Sequence, residues 1–100
     1  YYLSDRIEMP EALALGLVNR TVPAETLMRE AHALAKRLAE GPRVAYRYMK
    51  ENLNRAAGEA TMTDCLDLEA THHIHTGLTE DHREAAKAFV EKRTPKFQGR

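Results

Sequence analysis

The chain has one cysteine, no tryptophan and two phenylalanines in 100 residues. Cys65 has no partner for an internal disulfide, which fits a reducing compartment, and the expected location is cytoplasmic. The five glycines stand apart from one another, which excludes a glycine-rich phosphate cradle. Nowhere do about twenty apolar residues run together, so no membrane span is expected. No basic segment is followed by the apolar run of a signal peptide. Fifteen Lys/Arg balance fifteen Asp/Glu, so total charge gives no reason to expect nucleic acid or a membrane surface as partner. The opening Tyr1-Tyr2-Leu3 has neither an initiator methionine nor a helix cap, and it reads as though cut from a longer chain. One domain is the size expectation. A chain this short buries only about two thirds of its unfolded surface, so a partner would help it fold.

What the sequence does contain is helical period. Pro10 and Gly16 bracket a short helix, EALAL, with proline at its start and glycine at its stop. Leu17–Val22 is rich in β-branched residues and predicts one short strand, too brief to build a sheet alone. From Pro23 onward, Leu27, Met28, Ala31, Leu34, Ala35, Leu38 and Ala39 form one apolar stripe. Gly41-Pro42 ends that helix and opens the next, whose stripe is Val44, Ala45, Tyr48, Met49, Leu53 and Ala56. A long helix is expected from about Glu59 to Gly77, with Met62, Leu66, Ala70, His73 or Ile74, and Gly77 on one side and Leu68 on the other, which suggests burial on more than one face. Thr79 is a candidate N-cap for a last helix carrying Ala85, Ala86, Phe89 and Val90, stopped by Pro95. The fold class is therefore mainly α, with one short strand near the amino terminus.

Few constellations could carry chemistry. Glu69-x-x-His72 has the spacing used in di-metal bundles, but no second copy exists to complete such a site. His72, His73 and His75 read more simply as polar helix residues with one histidine packed inward, and no metal is expected. Cys65 lies beside Asp64 in an apolar stretch, which disfavours a thiolate nucleophile. Ser4 lacks an adjacent base and a nucleophile elbow. Arg43, Arg47, Lys50 and Arg55 on one helix suggest a nucleic-acid face, yet no basic stripe spans two elements. The one strongly charged block is the last nine residues, where Lys92, Arg93, Lys96 and Arg100 stand without an acid. It is either a frayed, solvated tail or a surface for an anionic, aromatic ligand or a neighbouring subunit. Of Phe89 and Lys92, three residues apart, the ring could stack on a base and the lysine could reach a phosphate or a ring nitrogen.

Five motifs in order carry a resemblance. They are EALALGLVNRTVP; Leu27, Ala31 and Leu34-Ala35; Gly41-Pro42 with Lys50; Glu69; and Glu84 with AFVEKRTPKFQGR. Together they resemble the enoyl-CoA hydratase/isomerase (crotonase) family over essentially the whole chain. Ala85-Ala86 depart from the glycine that follows the matching glutamate in many relatives. The choice among hydratase, isomerase, dehalogenase and decarboxylase therefore stays open.

The resemblance implies the carboxy-terminal part of a crotonase-type fold. Residues 1–22 would be the end of the ββα spiral core, and residues 23–100 the helical region that mediates trimers or dimers of trimers. It implies an enzyme acting on an acyl-CoA of the kind met in fatty-acid metabolism, with two backbone N–H groups in an oxyanion hole and carboxylates moving protons. Those groups would lie before Tyr1, so no catalytic residue and no metal ligand is assigned to this chain, and the chain alone is expected to be inactive. By the same resemblance, Phe89 and Lys92 would approach the CoA adenine held by an adjacent subunit. No cofactor is implied beyond coenzyme A as part of the substrate. The alternative is a free-standing all-α self-association module without enzymatic role.

Overall fold

Pro10 and Gly16 bracket the first helix as their chemistry requires. The structure, a computed structural model, describes residues 2–100. Helix α1 spans Met9–Ala14, with proline in its first turn. It ends in a Schellman motif: Gly16 N–H donates to Leu13 O at 3.1 Å and Leu17 N–H to Ala12 O at 2.9 Å. That closure needs a left-handed residue, and Gly16 supplies it at φ 71°. A turn of 3₁₀ helix, Ala24–Thr26, leads into α2, Leu27–Ala39. Helices α3 (Arg43–Ala56), α4 (Met62–Gly77) and α5 (Glu80–Val90) follow. Two units divide the chain, one up to Leu34 and one from Ala35 to Arg100.

The strand expected at Leu17–Val22 is absent. Among the described residues there is no strand at all, and this segment is bend and coil. A strand exists only by hydrogen bonding to another strand, and nothing here supplies one. The β-branched composition of the segment raised its strand propensity without producing a strand.

In the second unit, α3 packs on α4 and α4 on α5. Gly41 is buried where the chain enters α3, and a Cβ there would overlap the Tyr46 phenol. Helix α4 turns from solvent the side carrying Cys65, Leu68, His72 and Thr76, which recur at the +3, +7 and +11 positions of one helix face. Burial on more than one face is not seen: the side with Met62, Leu66 and Ile74 lies open, with Leu66 56 % and Ile74 64 % exposed. Leu27, Met28, Leu34 and Leu38 of α2 and Met49 and Leu53 of α3 are exposed too. The only buried hydrophobic residues described are Ala12 and Ala88.

Polar detail sets the helix starts. Thr61 and Asp64 form a capping box: the Thr61 hydroxyl accepts from Asp64 N–H at 3.2 Å, and the Asp64 carboxylate accepts from Thr61 N–H at 3.0 Å. The Thr61 hydroxyl also donates to the Asp64 carboxylate at 2.7 Å, and this bond first, with the Thr61 N–H next, lowers the Asp64 pKa. The box explains why α4 begins at Met62 and not near Glu59. Thr79 caps α5 as expected, accepting from His82 N–H at 3.0 Å. Replacing Thr61 by alanine should cost the chain about 1 kcal/mol, seen as a lower denaturation midpoint. An unchanged midpoint would mean that packing alone starts α4.

Candidate functional site

The basic terminal run is not a frayed tail. After α5 it folds back along the helix that precedes it. Gln98 and Gly99 N–H groups donate to the Asp81 carboxylate at 2.6 and 2.8 Å. Asp81 N–H in turn donates to Arg100 O at 3.0 Å. Asp81 is buried, so its carboxylate exchanges water for two backbone donors and meets its hydrogen-bonding needs within the protein. From α3, Arg43 donates to Gln98 O at 2.6 Å. The tail is thereby laced to two helices through its backbone.

The four terminal cations then separate into two kinds. Arg93 makes a fork onto Glu84, at 2.6 and 2.9 Å to its two oxygens, and its Nε donates to Glu91 at 2.7 Å. Arg100 Nε pairs with Glu80 at 2.8 Å. Among the described residues, Lys92 and Lys96 make no ion pair. The tail's apparent cationic block is thus two arginines engaged in ion pairs within the fold and two lysines that, among the described residues, are not.

Phe89 and Lys92, the pair singled out by spacing, are brought together. The Lys92 ammonium lies 4.5 Å from the centroid of the Phe89 ring, within cation–π range. Phe89 is 75 % exposed, so its ring does not serve the core of this chain. Helix α5 ends here in a second Schellman motif, with Lys92 N–H to Phe89 O at 3.3 Å and Arg93 N–H to Ala88 O at 3.0 Å. The left-handed position falls on Lys92, at φ 55°, where glycine would be the ordinary residue.

The Glu84 carboxyl is held at about 2, down from 4.5, first by the Arg93 hydrogen bonds and next by the Lys96 N–H, which donates at 2.8 Å. The hydrogen bonds to Glu84 first, and to Glu91 next, raise Arg93 in turn. Glu84 was part of the quoted closing motif without a role. Its partner stands nine residues on, beyond a turn that carries no glycine or asparagine to announce it. Asp81 and Arg43 gave no sequence signal for their tail contacts.

The histidines divide as the simpler reading expected. His72 is buried, with Nδ1 2.6 Å from Asn52 Oδ1, Nε2 3.2 Å from Glu51 and its ring 4.3 Å from that of Tyr48. It ties α4 to α3. Among the described residues no three His, Cys, Asp or Glu side chains group as metal ligands would. None of the helices is long and apolar enough to cross a membrane.

The family model for enoyl-CoA hydratase/isomerase matches residues 1–100. The chain belongs to the enoyl-CoA hydratase/isomerase family. It is 37 % identical over 94 residues to the mitochondrial enoyl-CoA hydratase of Pongo abelii, covering 94 % of this chain and 32 % of that one. It is 33 % identical over 98 residues to the 1,2-epoxyphenylacetyl-CoA isomerase of Escherichia coli, covering 98 % and 37 %. The solved enoyl-CoA hydratase subunit I of Geobacillus kaustophilus superposes with a TM-score of 0.89 at 38 % identity, over 99 % of this chain and 38 % of that one. The chain thus spans about a third of the length of these family members, and its helices share their fold.

Because Glu84 titrates low, the tie to Arg93 contributes its full stability above pH 4.5 and loses it as pH falls through about 2. A carboxyl-carbon NMR titration should find the Glu84 midpoint near 2, moving back toward 4.5 in Arg93→Gln. A wild-type midpoint already at 4.5 would show the tie unformed in solution.

Proposed function

We propose that this chain is the carboxy-terminal region of an acyl-CoA-handling enzyme of the hydratase/isomerase type. In this reading it supplies subunit association and part of the site for the CoA adenine, while the catalytic groups belong to the rest of the subunit. Residues 1–22 finish the spiral core. Residues 23–100 form the helical region through which subunits assemble as trimers or dimers of trimers. The open apolar faces of α2 and α4 have their natural partners in that assembly. The enzyme works in the reducing cytoplasm, and the isolated chain does not turn over an enoyl-CoA.

The observation that carries the reading is the Lys92–Phe89 pair. An exposed aromatic ring with an ammonium 4.5 Å from its centroid offers a purine a stacking face and offers its ring nitrogens or phosphates a cation. The family's substrates share such a nucleotide handle, far from the thioester that reacts. Binding at that handle supplies affinity and orientation, not chemistry. The chemistry itself would be enolate formation at the thioester, with its oxygen held by two backbone N–H groups and its protons moved by carboxylates. That the family's members carry this segment in chains about three times as long favours the enzyme over a free-standing association module.

Calorimetric titration of CoA into the full-length enzyme tests the site. Phe89→Ala and Lys92→Glu should each weaken CoA about tenfold, the scale of one lost base-stacking contact. A pantetheine thioester, which lacks the nucleotide, should bind all three proteins alike. Unchanged CoA affinity in both variants would remove the adenine role.

A further inference from the structure

Lys92 occupies the left-handed region at φ 55°, which disfavours a side chain and which glycine adopts freely. The turn would close as well with glycine, so the ammonium is what the lysine adds. Strain of this kind persists only where the surroundings over-determine it, and it gathers at functional positions.

The surroundings here are specific. On the helix side, Glu91 N–H donates to Lys87 O at 2.9 Å. On the tail side, the Arg93 guanidinium is held by both oxygens of Glu84 and by Glu91. Glu84 also accepts from Lys96 N–H. Glu84 therefore stands on the helix and grips the chain one residue and four residues beyond Lys92. Arg93 and Glu84 are only partly withdrawn from water, with side chains 37 % and 24 % exposed. An isolated ion pair so exposed adds little stability, so its position across the turn matters more than its strength. The low Glu84 pKa keeps the grip charged throughout neutral pH.

We propose that Glu84, acting through Arg93, is a positioning residue that holds Lys92 left-handed with its ammonium on the Phe89 ring before a ligand arrives. The consequence for binding rests on the adenine reading given above. A preset pair spares the ligand the ordering of a flexible lysine.

The test uses the full-length enzyme with lysine side chains labelled for NMR. The ring should displace the Lys92 ε-methylene protons upfield, and Phe89→Leu, by abolishing the displacement, assigns it. Glu84→Gln keeps an acceptor for Lys96 N–H and removes the charge, and Arg93→Lys removes the fork. Both should return the Lys92 resonance to its ordinary position, while Glu80→Gln, which loosens only Arg100, should leave it displaced. In nucleotide binding, Glu84→Gln should weaken 3′-phospho-ADP several-fold in the native background and add nothing in a Lys92→Gly background, since Glu84 acts through Lys92. A displaced Lys92 resonance retained in both Glu84→Gln and Arg93→Lys overturns the proposal. So does an undiminished Glu84→Gln effect on binding in the Lys92→Gly background. If the resonance behaves as expected while Lys92→Gly leaves binding untouched, the positioning role stands and the adenine reading alone fails.

Discussion

Apolar surface that the chain does not cover is the constraint on which the rest depends. Hydrophobic burial is the main favourable term in folding, yet among the described residues the buried hydrophobic ones are two alanines. Met62, Leu66 and Ile74 on α4, Leu27, Met28, Leu34 and Leu38 on α2, and Met49 and Leu53 on α3 all face outward. A hundred residues arranged this way need cover from elsewhere. Family membership gives that need a natural source, since relatives hold the same helices within chains of which this one spans about a third.

Given so little core, the second unit leans on polar connections. His72 bridges α4 to Asn52 and Glu51 of α3. Asp81 holds the tail by two backbone amides, Arg43 holds it from α3, and Glu84 holds it through Arg93 and Lys96. These ties lead to the candidate site. They consume Arg93 and Arg100, fix how the chain leaves α5, and leave Lys92 beside Phe89 with Lys96 further along. The question raised by a basic terminus on a neutral protein is answered by that division. Two of its cations build the platform and two are left on it.

Much of this was legible in the residues. Helical period placed α2 to α5. Proline and glycine placed α1, because Pro10 and Gly16 act through backbone geometry that survives any tertiary context. Thr79 capped the helix it was expected to cap. The strand at Leu17–Val22 failed because strand formation is a property of two segments, and only one was present. Apolar residues on both sides of α4 were legible, but a stripe does not say which neighbour it awaits: the side with Leu68 and His72 is turned from solvent, and the side with Leu66 and Ile74 is open. The α5 terminus was set at Pro95 and lies at Val90, because a lysine occupies the position where glycine would have signalled the stop. Phe89 and Lys92 were singled out by spacing and resemblance, and the structure shows them in contact, whereas the Glu84–Arg93 grip joins residues on opposite sides of that unannounced turn.

The central claim is that these helices are shaped to lie against other polypeptide. Sedimentation of the purified 100-residue chain at micromolar concentration measures it most directly. Self-associated or aggregated species are predicted, because the open faces of α2 and α4 will seek each other when nothing else covers them. A monodisperse, cooperatively folded monomer would contradict the account.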